Sequence, residues 1–290
     1  MDRATVLIES LDARQAEYRY LLLDPLKKVA PWNPLHEQQL YQRTGNNALR
    51  RVPRPDLAWS PEHCPMLLLL ASPGERCDES LVRSSEAYAQ GEVLDEKRYV
   101  CGWLSSALAP DAMANWIASL CGNIKQNATI PIFEPLRLEL LQATAVPDLV
   151  SAYLSEISQW HFISCTEECV LLEGCEIDTE RRLNWGAELA QSEVRNIWRL
   201  LSAWSETAAQ MPSDAAYRAV NVWAATEKHG LHHLSDRLCL ALNTLTLPVD
   251  ITRHPIVQAL LQQAIRNPEM HFTQMLQALP ESAWQDMSHA

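Results

Sequence analysis

Three groups of residues carry side chains that could do chemistry. Ser105 and Ser106 follow an apolar run, Tyr99 to Leu104, where a strand would hand a nucleophile to the next turn. Hydrolases hold such a serine between two glycines in a Gly-x-Ser-x-Gly turn. Here the second glycine is missing and no basic partner lies nearby in sequence, so a capping or loop serine is expected. His229-Gly230-Leu231-His232-His233 could supply zinc ligands. Gly230 interrupts a helix through them, so the rings need not share a face, and capping and surface roles are expected. Cys165, Cys169 and Cys175 form a thiol trio without a Cys-x-x-Cys pair, so the zinc-ribbon and redox signatures both fail. The carboxylates Glu167-Glu168 fall on a short turn, where they favour solubility over acid catalysis. The eight glycines are scattered singly, with neither phosphate-loop nor dinucleotide spacing. No metal, no cofactor and no catalytic residue is expected.

The elements that would position these residues change character along the chain. Residues 4–15 read as a helix and Tyr18 to Leu23 as a strand halted by Asp24-Pro25. A proline-rich loop follows, then a short helix at 36–42 and a long irregular stretch over 50–65 with four prolines. Met66 to Leu70 is apolar throughout, which suits a strand buried on both faces. Residues 75–90 form a helix that stops at Gly91, Tyr99 to Leu104 a strand, and 109–121 a helix with Pro110 in its first turn. Thr129 to Phe133 is a fourth strand candidate, with helices at 135–143 and 147–158. Trp160 to Ser164 and Cys169 to Leu172 make a hairpin.

From about residue 180 only helical periodicity remains. The apolar faces are Val194, Ile197, Trp198, Leu201 and Trp204; then Leu231, Leu234, Leu238, Leu242 and Leu245. Ile256, Leu260, Leu261 and Ile265 make a third, and Phe272, Met275, Leu276 and Leu279 a fourth. The expected fold is therefore a mixed α+β lobe over 1–178, a small sheet flanked by helices, and a helical bundle over 179–290.

Composition narrows the partners. The chain has 290 residues, 47% of them apolar, enough for one large domain or two lobes. Its net charge is −12, and Arg50-Arg51 and Arg181-Arg182 are the densest basic clusters, too short to neutralise many phosphates. Nucleic acid and anionic membrane are unfavourable partners, whereas a basic protein surface is favourable. No apolar run reaches the ~18 residues of a membrane span. The start of the chain lacks the apolar core of a signal peptide, so a cytoplasmic protein with eight reduced, partly buried cysteines is expected. Ten tryptophans are many for this length. Those in the proline-rich loops, Trp32 and Trp59, are either plugs over the core or exposed anchors for a partner, and the plug is the first expectation.

Several stretches together resemble the Tap/TEC family of type VI secretion adaptors. Tyr20 to Pro25 is similar to its early strand and turn, with Asp24 and Pro25 at the stop. Gly102-Trp103-Leu104-Ser105-Ser106 is similar to its central strand-to-helix step. Ile132-Phe133-Glu134-Pro135-Leu136-Arg137 resembles its aromatic–acid–proline step, although the acid is usually aspartate and the arginine usually follows the proline directly. The hairpin over 160–174 and the helical segments Ala224 to Asp236 and His254 to Val257 resemble later parts of the family. The resemblance implies a non-catalytic cytoplasmic adaptor that binds a cognate effector toxin and loads it onto a VgrG spike or PAAR-type tip. The partner-binding candidates are Trp32 and Trp59. The alternatives are an immunity-type protein that binds a toxin, and a hydrolase or metal enzyme using Ser105 or the histidine cluster.

Overall fold

The computed structural model describes residues 2–45, 47–124, 128–176 and 182–289. They fall into two compact units, Met1–Gln191 and Ser192–Ala290. The boundary expected at 178 lies outside the described residues.

The first unit is built on six strands: β1 (Tyr18–Leu23), β2 (Leu49–Arg51), β3 (Met66–Ala71), β4 (Val100–Ser106), β5 (Gln159–Ile163) and β6 (Cys169–Leu172). They form one sheet in the order β2-β3-β1-β4-β5-β6, every neighbouring pair antiparallel. Successive residues of a strand face opposite sides. Tyr20 and Leu22 therefore enter one core, and Leu21 and Leu23 the other. That is why YRYLLL and MLLLL carry no polar–apolar alternation: both faces of the central strands are covered.

On the Tyr20 side lie α4 (Pro110–Asn123), α5 (Pro135–Thr144) and α6 (Leu149–Tyr153), which contribute Met113, Ile117, Leu138, Leu141 and Tyr153. On the Leu21 side lie α1 (Arg3–Asp12), α2 (Glu37–Thr44) and α3 (Glu79–Gly91), with Leu7, Leu11, Leu40, Leu81 and Val82. α3 begins at Glu79, four residues after the expected start at 75, because the Asp78 carboxylate caps it, accepting the Ser80 and Leu81 N–H groups at 3.0 and 3.2 Å. Gly102 has a φ of 149° and sits at an irregular step between β1 and β4. A β-carbon there would stand 2.5 Å from the His161 carbonyl oxygen, so the strand crossing requires glycine.

Two expectations are corrected. Thr129 to Phe133 is not a strand; Pro131 has no N–H for a ladder, and Glu134 N–H turns back to the Pro131 carbonyl at 3.0 Å. The helix expected over 147–158 is only the short α6, ended by a turn in which Ile157 N–H meets the Leu154 carbonyl at 2.8 Å. α7 (Trp185–Ser192) closes this part of the chain and buries Ala187 against the Tyr20-side core.

The second unit is helical. α8 (Val194–Thr207) buries Ile197, Leu200, Leu201 and Trp204. α9 (Ala215–Thr226) buries Val220 and Trp223, runs into a 3-10 turn, and stops at Gly230 with φ 64°. α10 (Leu234–Thr246) starts after that stop, so Leu231 lies outside it and Leu234 is exposed; its buried side is Asp236, Leu240 and Ala241 rather than the expected leucine stripe. α11 (Pro255–Arg266) turns Val257, Leu261 and Ala264 inward and leaves Ile256 exposed. α12 (Phe272–Gln277) and α13 (Glu281–His289) complete the unit.

Candidate functional site

β1 ends where β3 and β4 begin, with Leu23 opposite Met66 and Val100. Three connections, 24–36, 52–65 and 92–99, therefore meet at one end of the sheet. They are tied to one another by polar contacts. The Glu92 carboxylate accepts the Tyr99 and Val100 N–H groups at 2.8 and 2.7 Å, and the Tyr99 hydroxyl donates to the Leu35 carbonyl at 2.7 Å. Arg51 donates to the Cys64 carbonyl at 3.0 Å and pairs with Glu37. Lys27 pairs with Asp95.

On this framework Trp32 is 84% exposed and Trp59 98% exposed. Neither is a plug over the core. Pro31 and Pro34 flank Trp32, while Trp59 sits between two short 3-10 turns, Pro55–Leu57 and Pro61–His63. Each turn has proline in its first position, which restricts the backbone while the indoles stay in water. Trp185, on α7, is a third exposed indole in this unit.

Beneath the loops lies a buried charged cluster. Asp24 accepts the Leu26 N–H at 3.0 Å through Oδ1, while its Oδ2 has no hydrogen-bond partner among the described residues. Burial pushes the Asp24 carboxyl up to about 6; the Leu26 N–H opposes this, Glu134 adds to it, and Lys97 and Arg54 oppose it. Arg54 is buried, grips Asp56 at 3.1 and 2.7 Å, and faces the Phe133 ring at 5.6 Å, with no partner for Nη1 among the described residues. Glu134 pairs with Lys97 and accepts Arg137 Nε at 3.0 Å. Burial also pushes Glu92 up to about 7, against its two backbone donors.

The structure thus brings together Asp24, Phe133, Glu134 and Arg137, which the sequence presents as separate short motifs. Pro25 forms the turn after β1, in which Lys27 N–H meets the Asp24 carbonyl at 3.2 Å, and Pro135 opens α5. Trp103 and Ser105 belong elsewhere. Trp103 is fully buried in the Leu21-side core and donates to the Ser85 hydroxyl at 2.9 Å. Ser105 is fully buried at the far end of β4, opposite Arg19 and Gln159, with no partner for its hydroxyl among the described residues.

Sequence reasoning missed a second polar pair. Ser10 Oγ of α1 lies 3.1 Å from His161 Nε2 of β5 and 3.4 Å from Gln159 Oε1. Burial pushes His161 down to about 4, so the ring is neutral at physiological pH. No local pattern links a helix serine to a strand histidine 151 positions away. A neutral imidazole beside a hydroxyl is one element of a nucleophile–base pair.

The remaining candidates have local roles. Cys165 donates its thiol to Glu139 at 3.0 Å and its N–H to the same carboxylate at 2.8 Å; burial first, then Glu139, pushes that thiol well up. All eight cysteines are free, with Cys169 and Cys175 exposed. In the second unit, His232 and His233 contact the Ile265 and Pro268 carbonyls at 3.1 and 2.6 Å. Among the described residues no group of three or more His, Cys, Asp or Glu is arranged to hold a metal ion. Comparison of the chain with protein families, with curated proteins and with solved structures finds no match.

Proposed function

We propose that the protein is a non-catalytic cytoplasmic adaptor that docks a partner protein on the Trp32 and Trp59 loops. The observation that carries this reading is the exposure of two large indoles on proline-restrained loops anchored at one end of the sheet. Exposed aromatic anchors lose little conformational freedom on binding and contribute strongly once buried in a partner. The net charge of −12 favours encounter with a basic surface. Among the described residues, no helix is long and apolar enough to cross a membrane. The resemblance to the Tap/TEC adaptors supplies the partner class: a type VI effector toxin, loaded onto a VgrG spike or PAAR-type tip.

The test is a pull-down of the tagged full-length protein from native lysate, with mass spectrometry. Co-purification of a toxin-like protein with VgrG, lost in the Trp32→Ala, Trp59→Ala double variant and weakened by salt, supports the reading. Partner capture that ignores both tryptophans and salt overturns the docking surface. Protection of cells expressing the toxin, without any effect on its delivery, points instead to an immunity protein.

A further inference from the structure

The two edges of the sheet are finished differently. At β2 the Arg50 guanidinium donates to the Asn47 and Leu49 carbonyls at 2.8 and 3.1 Å and pairs with Asp111 of α4 at 2.5 Å, which blocks that edge with a charge. At the other edge, among the described residues, β6 pairs with β5 alone. Ser164 N–H donates to the Glu168 carbonyl at 2.8 Å, and the register runs from Ile163 opposite Cys169 to Trp160 opposite Leu172. Antiparallel residues alternate between facing the neighbour and facing away. Glu168, Val170 and Leu172 thus face β5, and Cys169 and Leu171 turn their N–H and C=O groups outward.

A groove of about 500 Å³ lies beside β6, its other wall the connection between α5 and α6, Ala145 to Asp148. Val146 is 47% exposed and Leu171 41% exposed on its two sides. Asp148 and Glu173 are among its lining residues, and among the described residues no Lys or Arg is. Glu167, Glu168 and Glu176 flank the strand in the sequence.

We propose that β6 is a strand-addition site for an extended, lysine- or arginine-bearing segment of another protein. The outward backbone groups of Cys169 and Leu171 match the donors and acceptors of one more antiparallel or parallel strand. Val146 and Leu171 receive apolar side chains from the two faces of the segment, at successive positions. Asp148 and Glu168 complement its basic residues and disfavour an acidic segment, while Glu173 is already paired with Arg14 at 3.5 Å. This surface uses none of the residues of the tryptophan loops, and the proposal does not depend on the adaptor reading.

The probe is a fluorescein-labelled peptide of alternating valine and threonine with lysines at both ends, titrated with the full-length protein by fluorescence anisotropy. Saturable binding is expected, weakened at least about tenfold when the peptide backbone is N-methylated at alternate residues, because each such group removes a ladder donor. Leu171→Pro is expected to cause a similar loss with an unchanged melting curve, since the Leu171 N–H points away from β5. Should that variant fail to fold, the N-methylated peptide decides alone. Equal affinity for both peptides, wild-type affinity in a folded Leu171→Pro variant, or no binding of the peptide overturns the proposal. A dimer in sedimentation that Leu171→Pro dissolves would give the edge to a second copy of this chain and also overturns it.

Discussion

Arg137 and Gln191 hold each other in both directions: Arg137 Nη1 donates to the Gln191 carbonyl at 2.9 Å and to its Oε1 at 3.3 Å, and Gln191 Nε2 donates back to the Arg137 carbonyl at 2.9 Å. Arg137 also reaches Glu134 at 3.0 Å, so one guanidinium ties the start of α5 to the end of α7 and to the charged cluster. Arg137→Ala is expected to cost about 1–3 kcal/mol, because the buried Gln191 amide loses partners as well. Urea midpoints of Arg137→Ala, Gln191→Ala and the double variant measure it. A coupling energy near zero would falsify the mutual clamp.

The pH dependence of stability contains two opposing contributions in the first unit. Asp24 is raised from an ordinary 3.8 to about 6, mainly by burial, so the folded chain holds this proton more tightly and stability falls as pH rises between those values. Glu92, raised from 4.5 to about 7, acts with the same sign. His161 is lowered from 6.5 to about 4 by burial, so its contribution to stability rises with pH across that window. Asp24→Asn keeps an acceptor for the Leu26 N–H. It is expected to gain up to about 3 kcal/mol at pH 7 and to make the slope between about pH 4 and 6 more positive. His161→Gln is expected to make the slope more negative. Chemical denaturation at stepped pH separates them, and parallel curves for both variants and wild type would refute the assignment.

Gly102→Ala is expected to destabilise by at least about 2 kcal/mol, through the φ of 149° and the collision with His161. Gly91→Ala, where no atom lies within 4 Å of the added carbon, serves as the control and is expected to be neutral or mildly stabilising. Thermal melts of the two variants should differ in sign or by several degrees.

The exposed indoles carry no folding role. Trp32→Ala and Trp59→Ala should each leave stability within about 0.5 kcal/mol of wild type. Trp160→Ala, buried in the Tyr20-side core, should cost about 3–5 kcal/mol. Intrinsic fluorescence gives a parallel check: iodide is expected to quench a smaller fraction of the emission when Trp32 and Trp59 are removed.

Thiol labelling should proceed in three steps. Cys175 is exposed and reacts first. Cys169 is also exposed, but its thiol is pushed up to about 11, by burial and then by Glu86, and it reacts more slowly, as does the half-buried Cys239, whose thiol burial also raises. Cys64, Cys77, Cys101, Cys121 and Cys165 are buried and label only on unfolding. Mass spectrometry of timed alkylation at pH 8 reads the order, and early modification of Cys101 or Cys165 would contradict it.

Much of the secondary structure is local information. The apolar runs of β1 and β3, the Asp78 cap, Pro110 at the start of α4 and the Gly230 stop all act through neighbouring residues, so the sequence determines them. The mixed α+β unit followed by a helical one is legible for the same reason: the strand pattern ceases where helical periodicity takes over. Two misreadings arose where one local signal overrode another. Thr129 to Phe133 has strand-like composition but Pro131 leaves no ladder donor, and the leucine stripe around Leu234 is displaced because α10 starts only after the Gly230 stop.

The candidate sites belong to tertiary structure. Nothing in the spacing of Asp24, Arg54, Lys97 and Glu134 announces a cluster; the antiparallel meeting of β1, β3 and β4 puts their loops at one end of the sheet. The same applies to Ser10 with His161 and to the open edge of β6, because a side chain's neighbours across a sheet are set by strand order, which composition and periodicity do not encode. Exposure of Trp32 and Trp59 was likewise decided by the fold: an indole in a proline-rich loop is chemically suited to cover a core or to meet a partner, and here Leu35, on the same loop as Trp32, is the residue packed into the core.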